Sequence, residues 1–93
     1  MSMSKTAVRR MVSHKVFWKK MFRLNPVIKC ECCGNPIKEE EKTIDHILPK
    51  SKFPHLEFSC QNFAPMHRDC NMKKSDDLTP VKKIHNIYPV EWL

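Results

Sequence analysis

The sequence predicts a small α+β fold, and three observations carry that prediction. Residues 6–24 contain neither proline nor glycine and repeat apolar side chains at helical spacing, so they should form one helix. Farther along, two short extended stretches, residues 42–45 and 62–66, flank a loop interrupted by Pro49 and Pro54, and a helix over residues 69–76 follows them. Two potential ligand pairs, Cys30/Cys33 and His67/Cys70, bracket this unit, each with two residues between its members. A lone pair of this kind is a weak signal, but two pairs joined by a loop of plausible length can close a tetrahedral Cys3His zinc site. The chain has 93 residues, one domain's worth. At that size apolar burial alone is marginal, and a structural metal is a usual staple.

The elements follow in order. Ser4 can cap the first helix. Val8, Met11, Val12, Trp18, Met21 and Phe22 fall mostly on one face, with Arg9, Lys20 and Arg23 opposite. Lys15 intrudes on the apolar face and Phe17 leaves it, so Trp18 is the expected core anchor. Asn25-Pro26 ends the helix. Residues 27–37 form the first zinc knuckle. Gly34 allows the tight turn after Cys33, which favours Cys33 over its neighbour Cys32 as the second ligand. A charged turn over residues 38–41 precedes the first strand, which delivers His46 at its end. Phe53, Leu56 and Phe58 should pin the irregular loop of residues 47–61, and Thr79-Pro80 should stop the last helix. The tail carries Ile84, Ile87, Tyr88, Val90 and Trp92. It is too apolar to stay free and should pack on the core, on the first helix or across a dimer interface. Three segments result: a basic amphipathic arm (1–29), a metal-stapled unit (30–76) and an apolar tail (77–93).

Charge is unevenly placed. Residues 1–29 hold eight Lys or Arg and no acid, whereas the remainder is close to neutral within a formal total of +7. An arm of one sign on a near-neutral body suits a polyanion such as nucleic acid. Arg9, Arg10, Lys19, Lys20 and Arg23 are its candidate contacts. No apolar run approaches the length of a membrane span, and the N-terminus lacks the apolar stretch of a signal peptide, so an intracellular setting is expected. There, five cysteines with Cys-x-x-Cys spacing point to a metal site more than to disulfides, with Cys32 and Cys60 left as thiols. His14, His55 and His85 have no evident partner and are expected to face solvent.

The residues inside the ligand pairs are Asp45-His46 followed by Ile-Leu-Pro, then Asn62, then Asn71-x-x-Lys74. This pattern resembles the HNH endonucleases, also called ββα-metal or His-Me finger nucleases, with asparagine as the third letter. The resemblance covers about half of the chain. It departs from the family's habit at residues 52–55, where glycines are often found, and at His67, where a cysteine often stands. Strand, loop, strand and helix around one metal is the ββα-metal arrangement.

The resemblance implies a metal-dependent nuclease that nicks or cleaves DNA, with double-stranded DNA as partner, in a bacterial or phage-encoded cytoplasmic protein. His46 would be the general base, a role suited to an imidazole that titrates near neutrality. Asp45 and Asn71 would hold a catalytic Mg²⁺, or another divalent ion such as Mn²⁺, through hard oxygen atoms. Asn62 would bond the loop backbone and so orient His46. Lys74 lies one turn after Asn71 and can reach a phosphate. Lys73 or Lys50 could substitute for it. The zinc, with four protein ligands, would be structural. A regular pleat points Asp45 and His46 to opposite faces, so the strand is expected to end or twist there if both serve one site. A non-catalytic zinc module that binds nucleic acid or protein is the alternative. A homodimer, an acidic inhibitor, or a phage or bacterial partner protein remains open.

Overall fold

A computed structural model describes residues 4–74 and 81–93. The expected helix stop at Thr79-Pro80 and the last two residues of the expected second helix lie outside them. The fold is α+β: helix α1 (Lys5–Leu24), strand β1 (Lys42–His46), strand β2 (Phe63–His67) and helix α2 (Arg68–Lys74), with short 3₁₀ turns between and after them. β1 and β2 form one antiparallel pair in which Asp45 faces Ala64 and His46 faces Phe63. Pairing runs through His46 and β1 ends there, at the place where the sequence requires the strand to end or twist.

Local chemistry sets the ends of α1. The Ser4 hydroxyl accepts the Ala7 N–H at 3.1 Å, satisfying one of the first turn's orphan donors. At the other end Asn25 turns extended, and its backbone N–H closes the last turn on the Met21 carbonyl.

The buried face of α1 is rotated from the expected one and shares with it only Met21 and the partly buried Trp18. Ser13, Phe17 and Met21 are buried, while Val8, Met11, Val12 and Phe22 face solvent. Phe17, expected off the apolar face, is the centre of the core. Its ring stacks on Trp92 at 5.5 Å and meets Phe63 edge-on at 5.6 Å. Trp18 sits at the rim, partly buried, against Phe17 and beneath the Lys42 ammonium. Helical spacing counts apolar residues without weighing their partners. Two large aromatic rings decide the orientation here, because stacked and edge-to-face aromatic contacts add to the area they bury.

The tail adds two large side chains to this core, Tyr88 and Trp92, whereas Ile84, Ile87 and Val90 point outward. Three side-chain clasps hold its backbone. Asn25 exchanges hydrogen bonds with the backbone of Ile87, both at 2.8 Å. Asn86 does the same with the backbone of Lys29. Glu31, buried within the knuckle, accepts the N–H groups of Ile84 and His85 and the hydroxyl of Tyr88. Burial and then the Glu31 carboxylate push the Tyr88 phenol well above its ordinary range, so it stays a donor. Glu31→Ala would strand three buried or half-buried donors. It is expected to cost about 2–3 kcal/mol, the scale of unsatisfied buried polar groups. Urea unfolding checks this, and an unchanged midpoint would refute the clasp.

Gly34 has a positive φ of 78°, and a Cβ there would meet the His85 ring at 3.0 Å. The glycine therefore serves both the knuckle turn and the seat of the tail. His85, expected to be without a partner, is that neighbour.

Candidate active site and metal centre

The knuckle supplies Cys30 and Cys33, and the β2–α2 junction supplies His67 and Cys70. Their ligand atoms all lie within 4.8 Å of one another. A zinc ion with bonds of about 2.0–2.3 Å fits a cluster of that size, and three thiols with one imidazole are the donors it favours. His67 Nε2 lies 3.0 Å from the Pro36 carbonyl, so it carries the proton, and Nδ1 faces the cluster 3.3 Å from Cys33 Sγ. A backbone hydrogen bond at Asn35 holds the Cys33 thiol down at about 7, whereas burial, reinforced by Cys30, pushes Cys70 up to about 12. Zinc binding must therefore displace protons from this cluster. Cys32 is exposed and outside the cluster, so the second ligand is Cys33.

The same junction positions α2. Immediately after Cys70, the Asn71 Nδ2 donates to Thr43 Oγ1 and to the Ile44 carbonyl, each at 3.3 Å. One turn later the Lys74 ammonium bonds Asp45 Oδ2 at 3.1 Å. Asp45 is buried, and that burial raises its carboxyl above the usual range, with Lys74 acting in the opposite sense. The sequence pointed Lys74 at a phosphate. In the fold it meets the carboxylate first, because a buried carboxylate without a partner is costly.

The next residue of β1 looks the other way. His46 packs edge-on against Phe63 at 5.3 Å, and its Nε2 lies 2.8 Å from the Glu57 carbonyl oxygen. A carbonyl oxygen only accepts, so Nε2 carries the proton in the neutral ring and Nδ1 keeps its lone pair. Asn62 is buried and grips Leu48 at both ends: Oδ1 accepts the Leu48 N–H at 2.9 Å, and Nδ2 donates to the Leu48 carbonyl at 3.0 Å. The loop that presents the Glu57 carbonyl to His46 is thereby tied to β2.

The HNH endonuclease family matches residues 30–77, the stretch that holds both ligand pairs, Asp45, His46, Asn62 and Asn71. The chain belongs to the HNH endonuclease family. It is also 36% identical over 62 residues to Protein ea31 of Escherichia phage lambda, across 66% of this chain and 20% of that protein. The chain thus spans about a fifth of that relative's length. No solved structure matches. Among the described residues, no helix is long and apolar enough to cross a membrane.

Around the HNH unit, the fold sorts the basic residues the sequence grouped together. Arg10 and Lys50 line a cleft with His46. Arg9 lies over the Phe58 ring at 4.6 Å. Lys20 pairs with Glu91 at 3.5 Å, and Arg23 lines the same shallow recess near the tail. Lys19 and Lys73 are exposed on α1 and α2. His14, expected to face solvent, is instead half-buried beside Phe63 and lines the His46 cleft. Its spacing of four residues from Arg10 puts both on one helix face. That signal became readable only once the buried face was known. His55 is exposed, as expected, and Cys60 packs against the core with Sγ 3.6 Å from the Ser13 carbonyl.

Proposed function

We propose that this chain is a metal-dependent HNH endonuclease that nicks or cleaves duplex DNA, with His46 as general base. The observation that carries this reading is the Nε2–Glu57 bond, which fixes the proton of the neutral imidazole on Nε2 and leaves Nδ1 as a base. Nδ1 takes a proton from water, the water oxygen bonds the phosphorus, and the bond to the 3′-oxygen breaks. The leaving oxygen is protonated by solvent, so the ends are 5′-phosphate and 3′-hydroxyl. Asn62 keeps the Glu57 loop, and hence the ring, in place.

Asp45 and Asn71 are the residues that would hold a divalent ion such as Mg²⁺ or Mn²⁺. Asp45 offers an anionic oxygen, and Asn71, with Nδ2 committed to β1, offers its amide oxygen; both are hard donors. The Lys74 ammonium already bonded to Asp45 supports a place that takes positive charge. When bound, the ion supplies charge neutralisation at the scissile phosphate and the leaving oxygen. The zinc cluster, with four protein ligands, keeps a structural role. The phage relative supports a bacterial cytoplasmic setting for a phage-type protein.

A supercoiled-plasmid assay with Mg²⁺, Mn²⁺ or EDTA tests the reading. The expected result is conversion to open circle that needs the ion, and linear product would follow if nicks pair. No cleavage with any divalent ion, in protein that retains zinc and binds DNA, would overturn it in favour of a non-catalytic zinc-binding interaction module.

A further inference from the structure

α1 was expected to be a basic arm that grips the nucleic-acid backbone. In the fold it is a wall of the His46 cleft. Arg10 and His14 project from α1, Lys50 from the loop after β1, and Glu57 and Phe58 from the far side of that loop, around a cleft of about 310 Å³ that also contains His46. The two histidines share one support. His14 meets the Phe63 ring edge-on at 5.5 Å and His46 meets the same ring edge-on at 5.3 Å. Phe63 belongs to β2, paired with His46, so the distance between the imidazoles is set by the core and not by loop motion.

With both imidazoles neutral, Arg10 and Lys50 outweigh Glu57 by one positive charge. A cleft of that charge, walled by N–H donors and closed behind by an aromatic ring, suits a phosphate oxygen better than a base or a cation. We propose that Arg10, His14 and Lys50 form a phosphate subsite on the α1 side of β1, which seats a phosphodiester of the nucleic acid next to His46. The subsite rests on the nuclease reading for its substrate, but its binding of phosphate can be tested without cleavage.

His14 is the residue that distinguishes this subsite from a general basic surface. Burial, then the neighbouring His46, Arg10 and Lys50, hold its imidazole below the ordinary range, which favours the neutral ring in the empty cleft. Glu57 is the acid that lines the same cleft. An anion seated among these groups favours the protonated ring, and His14 then adds a donor and a charge where the phosphate lies. Asp45 and Lys74, on the other face of β1, are not part of this arrangement.

The test uses the full zinc-loaded chain with no added Mg²⁺ or Mn²⁺, so that nothing is cleaved. Inorganic phosphate is titrated while the His14 ring Cε1–H is followed by NMR, and duplex DNA binding is measured by anisotropy at several salt concentrations. Phosphate is expected to shift the His14 resonance and raise its titration midpoint. Arg10→Ala should flatten the salt slope by about 0.9, one phosphate contact. His14→Phe keeps a ring against Phe63 and removes the donor. It should weaken DNA binding at pH 6 by about 10- to 100-fold, the range of a charge-assisted hydrogen bond. Lys15→Ala removes a charge from the same helix outside the cleft and sets the baseline. If His14 ignores phosphate, and Arg10→Ala and His14→Phe both bind like Lys15→Ala, the subsite is refuted even in an active nuclease. If both bind weakly and phosphate still moves His14 in a chain that cleaves nothing, the subsite stands and the nuclease reading falls.

Discussion

Cys33→Ser is expected to unfold the HNH unit as well as inactivate it. Cys33 is exposed, so the change removes almost no core packing. It removes one of four ligands that tie the knuckle to the β2–α2 junction. Structural zinc contributes about 10–16 kcal/mol in small zinc-dependent peptides, and a whole domain is stable by only about 5–15 kcal/mol. Weakening this site therefore consumes the stability of a 93-residue chain. The effect should reach the residues proposed to serve the catalytic ion as well. α2 has seven residues, too few to persist as a helix alone, and it carries both Asn71 and Lys74. Zinc analysis and thermal melting by circular dichroism check this. Cys32→Ser, one residue away but outside the cluster, should retain zinc and melt like the parent. A zinc-free Cys33→Ser that melts at the parent temperature would refute the structural role of the metal.

His46→Ala should lower plasmid cleavage by about 10²–10⁴-fold, the range a general base contributes. Zinc content, melting temperature and DNA affinity should stay near those of the parent. Separation of these readouts is expected because the ring is only half-buried and, among the described residues, makes one hydrogen bond, to the Glu57 carbonyl. Deleting it leaves that carbonyl facing a cleft open to water, with Phe63 still held by Phe17. If DNA affinity fell as far as cleavage, His46 would be a binding residue and the base would lie elsewhere. If cleavage survived, the reading of Nδ1 as the water's proton acceptor would be wrong.

The ligand pairs, the glycine turn after Cys33, the cap at Ser4 and the order of strand, loop, strand and helix could all be read from the chain. Each depends on neighbours a few residues apart. A Cys-x-x-Cys pair can grip one ion because its members lie on one turn, and that holds wherever the turn sits. Gly34 could be read for the same reason, since its φ is a property of one residue. The Asp45-His46 pair, Asn62 and Asn71 were legible as a pattern of residue types. Their partners were not: Glu57 for His46, Leu48 for Asn62 and Lys74 for Asp45 are chosen by how the loop and α2 lie on β1.

The orientation of α1 lay outside what the chain alone could say. Its apolar residues surround most of the helix, so periodicity favoured Val8, Met11, Val12, Trp18, Met21 and Phe22, of which only Met21 is buried and Trp18 partly so. Phe17 and Met21 turn inward because Phe63 and Trp92, far along the chain, offer them aromatic faces to pack on. That choice carries His14 and Arg10 into the His46 cleft and seats the tail against the knuckle through Glu31. The sequence by itself determined the Cys3His cluster, the family and the order of the elements, because spacing and residue chemistry are local. Only the tertiary structure decided which helix face is buried and which side chains share the cleft, because side-chain packing depends on partners that sequence separation hides.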